Sequence, residues 1–296
     1  MQYNQWRLNL QILEVFNEKM QQKNILAVHD ISCIGRCSLT VALPVISAAG
    51  ITASILPTAV LSTHTGGFEG YTYRDLTEDM LPIADHWQTL NTRFDAIYTG
   101  YLGSHKQLKI IEELINRFNT LVIVDPVMAD FGRLYSGFTA DFPQGMLKLC
   151  QQADVVTPNI TEALLMLGEP YKEGPYTREY ICGILEALVR LIKSKIVLTG
   201  VYLNESEYGA AAYNNGKIYF ALGEHFPGQY HGTGDLFASV LSSALVSGNS
   251  LNQATDAAVK FTAESIKRTY QSGADLKYGV NFEAGLFGLK KLLMNQ

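Results

Sequence analysis

The chain has 296 residues, 47% of them hydrophobic and 17% charged, with a formal net charge of −5. That length suffices for one large α/β domain with a substantial core. The charge offers no basic stripe for a nucleic-acid backbone and no apolar run reaches membrane-spanning length, so neither nucleic acid nor membrane is expected as a partner.

Residues 1 to 23 read as an appendage. Trp6, Leu8, Leu10, Ile12, Leu13, Val15 and Phe16 mix with Gln, Asn and Glu in a weakly helical pattern too interrupted for a signal-peptide core. Translation starting at Met20 is an alternative, and residues 24 to 296 are expected to form a single domain. Within it, short β-branched runs at Asn24–Val28, Ile51–Leu56, Ala96–Thr99, Leu121–Val124, Val155–Thr157 and Ile196–Thr199 predict strands buried on both faces. Helical patterns fall between most of them. Ser104 is the expected cap of a helix whose Ile110, Ile111, Leu114, Ile115 and Phe118 share a face, and Thr177 of another running to Ile192. Asn215-Gly216, between two β-like runs, predicts a tight hairpin. Ser250 and Gln253 form a capping-box pattern, and Phe282 to Leu293 supplies a last helix. The expected fold is α/β, with a mostly parallel central sheet, helices on both faces and an antiparallel edge hairpin.

Ligands of open α/β sheets bind beyond the carboxyl ends of the strands. Here those ends read His29-Asp30, Thr99-Gly100, Asp125-Pro126, Thr157-Pro158-Asn159 and Thr199-Gly200. Each could be an ordinary turn, but five together point to a site. Gly232-Thr233-Gly234-Asp235 leads directly into the apolar run Leu236–Leu245, so a glycine loop meets a helix N-terminus, where free N–H groups and the helix dipole favour an anion such as a phosphoryl group. Asp235 is then either a dipole partner of that helix or a catalytic carboxylate. Cys33, Cys37, Cys150 and Cys182 lack zinc-type spacing and are expected to be reduced thiols of a cytoplasmic protein.

Asp125-Pro126-Val127-Met128-Ala129-Asp130, Thr157-Pro158-Asn159-Ile160-Thr161-Glu162 and Gly232-Thr233-Gly234-Asp235, in that order and spacing, resemble the ribokinase-like superfamily from about Asn24 to the C-terminus. The opening Asp30-Ile31-Ser32-Cys33-Ile34-Gly35 and the later Thr58 to Gly67 stretch are similar to its vitamin B6 kinase branch. Hydroxymethylpyrimidine kinases share the Asp-Pro-Val-Met and Gly-Thr-Gly-Asp elements, and a non-catalytic vitamer sensor is a further alternative. The resemblance implies ATP and Mg²⁺, with a monovalent cation as a possible addition, a B6 vitamer as substrate, and a homodimer.

The resemblance implies roles residue by residue. Asp235 becomes the general base, with Gly232, Thr233 and Gly234 offering N–H groups to the phosphoryl oxygens. Asn159 and Glu162 organise Mg²⁺, largely through water, although the same pair reads equally as a helix capping box. Asp125, Thr157 and Thr199 fall on the ATP and phosphate side, with Phe226 and Lys260 toward adenine. Asp30, His64, Thr65 and Tyr101 line the vitamer slot, where His64 and Tyr101 read equally as wall residues whose polar tips find backbone partners. Many B6 kinases carry Ser near the position of Asp30, so ring-nitrogen recognition is expected to differ in this chain. Asp130, Arg133 and Tyr135 belong to a segment resembling the family's closing loop, with Gly132 and Gly137 as expected hinges.

Overall fold

A computed structural model describes residues 22–294; residues 1–21, most of the expected appendage, lie outside the described residues. Eleven strands are assigned within them: β1 Asn24–Ser32, β2 Thr52–Leu61, β3 Tyr73–Asp75, β4 Ala96–Thr99, β5 Leu121–Val124, β6 Ala129–Asp130, β7 Arg133–Leu134, β8 Val155–Val156, β9 Lys195–Asn204, β10 Glu207–Asn214 and β11 Lys217–Gly223. Nine of them form one sheet in the order β11-β10-β9-β8-β5-β4-β1-β2-β3. From β9 to β2 every pairing is parallel, while β10, β11 and β3 run antiparallel at the two edges. The hairpin turn falls at Asn215 and Gly216, with φ of 50° and 79°, as a two-residue turn matched to strand twist requires.

The helices are α1 Leu39–Ala48, α2 Thr77–Thr89, α3 His105–Phe118, α4 Phe142–Cys150, α5 Ile160–Leu167, α6 Arg178–Ile192, α7 Thr233–Val246, α8 Leu251–Ser272 and α9 Leu286–Met294. Side chains alternate along β1. Ile25 and Ala27 join a core layer with α1, α7, α8 and α9, and Leu26 and Val28 join the opposite layer with α2 to α6. Each layer rests on helices with one apolar stripe, such as α3, whose Leu108, Ile111 and Leu114 are buried. Full burial of each such side chain is worth about 1.5–3 kcal/mol.

Four helices start on side-chain caps: Ser104, Thr177, Asn159 and Ser250 each accept from the backbone N–H three residues on. Three elements differ from the sequence reading. β2 continues past Leu56 through Pro57, which still pairs with His29, to Leu61, with the register shifting just beyond the proline, opposite Asp30. β9 runs on to Asn204. Gly200 lies between Thr199 and Val201, which face the consecutive residues Ala210 and Gly209, so it bulges outward at φ 71° and places Thr199 inside the strand. The terminal helix begins at Leu286, after a 3₁₀ turn at Glu283–Gly285.

Candidate active site

The carboxyl ends of the parallel strands bring His29 and Asp30 (β1), Gly100 (after β4), Asp125 (after β5), Thr157 (after β8) and Thr199 (β9) to one edge of the sheet. The N-terminus of α7 closes over them. Gly232, its cap residue, is left-handed at φ 73°, and a Cβ there would lie 1.9 Å from the Arg36 carbonyl oxygen. A β-carbon at Gly234 would meet nothing within 4 Å. The two glycines therefore do different things. Gly232 permits a tight approach of two chain segments, and Gly234 leaves open space above the free N–H groups of the helix start. Thr233 turns its hydroxyl back to the Tyr230 carbonyl at 3.0 Å.

Asp235 stands in the first turn of α7 with its side chain 14% exposed. Its Oδ2 accepts the Ser38 N–H at 2.9 Å. Burial pushes its carboxyl up to about 7; the Ser38 N–H opposes the shift and the nearby Asp30 adds to it. Its other oxygen lies 3.8 Å from Nδ1 of His29, a fully buried ring that burial pushes down to about 3.

Asp125 accepts the Thr157 hydroxyl at 3.2 Å, and burial, with the charge of Asp235 behind it, raises its carboxyl well above the ordinary range. Glu162 is raised likewise, first by burial and then by Asp125. Its two oxygens accept the backbone N–H groups of Met128 (3.1 Å) and Asn159 (2.8 Å). Asn159 completes the capping box through Oδ1 and donates through Nδ2 to the Ala129 carbonyl at 2.9 Å. The capping geometry is thus present and ties the start of α5 to β6. Among the described residues no cluster of three or more His, Cys, Asp or Glu forms a ready metal cage, and no Lys or Arg pairs with Asp30, Asp125, Glu162 or Asp235. Buried carboxylates without a cationic partner suit a divalent cation held partly through water.

On the other side of Asp235, Asp30 accepts both the Ser38 and Ser32 hydroxyls, at 2.5 and 2.9 Å, and burial still raises it despite those bonds. His64 is committed at both nitrogens: Nδ1 accepts the Gly66 N–H at 3.2 Å, so Nε2 carries the proton and donates to the Lys277 carbonyl at 2.7 Å. It is a wall residue with backbone partners, and burial lowers its basicity. His231 packs its ring 5.1 Å from that of His64. Tyr101 faces Phe138 at 5.6 Å between centroids, and burial raises its phenol. Thr65 is half-buried in the same loop as His64.

The profile of the phosphomethylpyrimidine kinase family matches residues 42–280. The chain belongs to that family. A Bacteroides thetaiotaomicron VPI-5482 protein described as a putative phosphomethylpyrimidine kinase, in an orthorhombic crystal form with pyridoxal, is 39% identical, covers 91% of this chain and 96% of its own, and superposes with a TM-score of 0.85. Pyridoxal kinase from Lactobacillus plantarum is 32% identical over 93% of this chain and 99% of its own, also with a TM-score of 0.85. The hydroxymethylpyrimidine/phosphomethylpyrimidine kinase of Bacillus subtilis (strain 168) is 25% identical over 73% of this chain and 79% of its own. The fold is that of the ribokinase-like pyridoxal kinase branch.

The family match begins within α1, so it includes His64, Thr65, Tyr101, Asp125, Asn159, Glu162 and the Gly232–Asp235 loop but not His29 or Asp30. Two expected groups remain, the loop after Asp125 and the residues assigned to adenine. The segment after Asp125 opens with a hairpin, β6 to β7, in which Asp130 pairs with Arg133; Phe131 (φ 48°) and Gly132 (φ 76°) form its turn, and the Gly132 N–H is tied to the Thr161 hydroxyl at 3.0 Å. Gly132 is a turn residue, while Gly137 (φ 97°) lies in the loop beyond. Tyr135 turns inward, its phenol raised by burial and by Glu162, whereas Arg133 is exposed. Lys260 borders a groove of about 470 Å³ between β11 and α8, shared with Leu222, Gly223, Asp256, Val259 and Glu264. Phe226 lies apart from that lining, 5.6 Å from Tyr270. Sequence reading missed His29 and Ser38 as neighbours of Asp235; the polar strand end at His29 was the available signal.

Proposed function

We propose that this chain transfers the γ-phosphoryl group of ATP to the 5′-hydroxymethyl group of a vitamin B6 vitamer, pyridoxal, pyridoxamine or pyridoxine. The observation that carries the proposal is Asp235: a largely buried carboxylate, poised near neutrality, at a helix N-terminus beside open space over Gly234. A general base works best with a pKa near the working pH. Asp235 takes the proton of the attacking hydroxyl, the N–H groups of the Gly232–Gly234 turn receive the phosphoryl oxygens, and the Ser38 N–H holds the carboxylate in place. Mg²⁺, when bound, neutralises phosphate charge; Asp125, Asn159 and Glu162 would hold it, largely through water. Thr157 orients Asp125, and Thr199 lines the same strand edge. Asp130, Arg133 and Tyr135 belong to a segment that covers the site and excludes water. The groove at Lys260, with Phe226 beyond it, would take the adenine.

Asp30, Thr65 and Tyr101, with His64 as a rigid wall, form the vitamer end of the site. Pyridoxal in the Bacteroides relative's crystal form supports a pyridine ligand; the family profile and the Bacillus relative favour hydroxymethylpyrimidine as the second reading. A homodimer in the cytoplasm completes the proposal, and no described helix is long and apolar enough to cross a membrane. Thermal-shift measurements with each vitamer, hydroxymethylpyrimidine and ATP·Mg²⁺, followed by ADP release, test it. Vitamer-dependent ADP release is expected. Turnover confined to the pyrimidine would move the chain to thiamine-type chemistry, and binding without any turnover would make it a sensor.

A further inference from the structure

Among the described residues, His29 is the least explained polar group. Its side chain is fully buried, and neither ring nitrogen has a hydrogen-bond partner. An unpaired buried polar group costs about 1–3 kcal/mol, so its retention in a core strand needs a reason. The surroundings are shaped for it. A Cβ on Gly100 would lie 2.2 Å from Nδ1, so only glycine at the end of β4 leaves room for the ring. Tyr98 braces it edge-on at 4.5 Å, and the Tyr98 hydroxyl also donates to the Asp235 carbonyl at 3.3 Å. The one acidic group that Nδ1 faces within ion-pair range is Oδ1 of Asp235, at 3.8 Å.

We infer that His29 is a positioning residue for the general base, its Nδ1–H donating to Oδ1 of Asp235 when the site closes on its substrates. The inference rests on the phosphotransfer reading above. A distance of 3.8 Å is too long for a hydrogen bond, and catalytic hydrogen bonds commonly shorten from such distances in the substrate complex. With the Ser38 N–H on Oδ2 and the imidazole on Oδ1, both oxygens are fixed in direction, and a free lone pair is left to take the acceptor proton. A neutral imidazole does this without placing a cation beside the base, which would weaken it as a proton acceptor. The other titratable groups facing the Asp235 carboxylate are Asp30 from β1, Cys37 from the loop before α1, Tyr98 from β4, Asp125 after β5 and Tyr135 beyond the hairpin. None of these is set to donate to Oδ1.

The test uses the full chain and compares His29→Phe, which keeps a ring without a donor, with His29→Asn, whose Nδ2 is bonded to Cγ as Nδ1 is and keeps a donor there. The expected result for His29→Phe is a fall in kcat of roughly 10- to 100-fold with vitamer KM changed less than about threefold. Losing a hydrogen bond to the ionised carboxylate also moves the acid limb of the kcat profile, which reports the substrate complex, upward by roughly half a pH unit or more. His29→Asn should recover most of the rate and return the limb toward the parent. If His29→Phe does not fold, His29→Leu, equally without a donor, takes its place with the same expectation. A donor-free variant with the parent's limb and kcat overturns the inference, as does an Asn variant that folds and is as slow as the donor-free one. A parent that phosphorylates no vitamer defeats the phosphotransfer reading itself, and the inference falls with it; the parent's own turnover thus separates the two failures.

Discussion

Gly232 and Gly234 stand two residues apart, and the structure assigns them opposite sensitivities. At Gly232, φ of 73° costs an L-residue about 1–2 kcal/mol. An added methyl at 1.9 Å from the Arg36 carbonyl must be cleared by roughly 1.5 Å before it reaches ordinary contact. Arg36 cannot simply retreat: its N–H donates to the Tyr278 carbonyl at 3.0 Å, and a Cβ on Gly279 would stand 2.8 Å from the same carbonyl oxygen. With about 1–3 kcal/mol of overpacking added to the backbone strain, Gly232→Ala should lower Tm by roughly 5–15 °C. Gly234→Ala meets nothing in the free protein and lies in the first turn of α7, where alanine is the better helix former by up to about 1 kcal/mol. Its Tm should stay level or rise. Its turnover should nevertheless fall, by roughly a hundredfold, because the methyl fills the space assigned to the phosphoryl oxygens and a displacement of about 1 Å is worth that much. Scanning calorimetry and steady-state ADP release on both variants give the comparison. Gly234→Ala turning over within a few-fold of the parent would show that the phosphoryl group does not pass over this loop, and an unchanged Tm for Gly232→Ala would refute the rigidity of the Arg36 contact.

Asp235→Asn should abolish most turnover, by roughly a hundred- to ten-thousand-fold, while vitamer and nucleotide dissociation constants stay within a few-fold; a variant close to the parent removes Asp235 from the chemistry. The same substitution should stabilise the free protein above neutrality. Asp235 is raised from 3.8 to about 7, so the folded state holds the proton more tightly than the unfolded one, and stability is lost as pH rises from about 4 to about 7, by up to about 4 kcal/mol. A Tm gain for Asp235→Asn at pH 8 that vanishes near pH 4 is the expected signature, and a pH-independent difference contradicts it. Glu162→Gln should weaken ATP binding measured by calorimetry with Mg²⁺ present much more than with Mg²⁺ chelated; equal losses would assign Glu162 to capping alone. Shortening Phe131 to Gly137 should depress vitamer phosphorylation more than nucleotide binding, and equal losses would make the segment a structural loop.

Much of the scaffold was legible because its signals are local. Ser104, Thr177 and Ser250 announce helices by cap chemistry, and Asn215-Gly216 announces the hairpin by its left-handed torsions. The elements that escaped notice lack such signals. α1 and α2 carry Pro44 and Pro82 in their interiors and start without a side-chain cap, so tertiary packing decides them. The turn at Phe131-Gly132 puts a bulky aromatic residue at positive φ, which sequence chemistry disfavours. In the site, the acids were legible as types at strand ends, but their surroundings were not. That His64 spends both nitrogens on backbone groups, or that His29 spends neither, depends on chain segments remote in sequence.

The acids themselves explain why the site is built at the seam between a sheet edge and a helix start. Asp30, Asp125, Glu162 and Asp235 are all raised by burial, and among the described residues no lysine or arginine pairs with any of them. A fold selected for stability alone would replace such groups or pair them. What keeps them affordable is backbone and hydroxyl donation: Ser38 and Ser32 to Asp30, Thr157 to Asp125, Met128 and Asn159 to Glu162, Ser38 to Asp235. None of those donors is a cation. The charge therefore remains uncompensated, which favours a ligand that arrives as a metal–phosphate pair over a bare phosphate, since the bare anion would meet four acids. The helix N-terminus then receives the phosphate oxygens while the carboxylates face the metal, and Asp235, in the first turn of that helix and raised to about 7, is free to handle the proton.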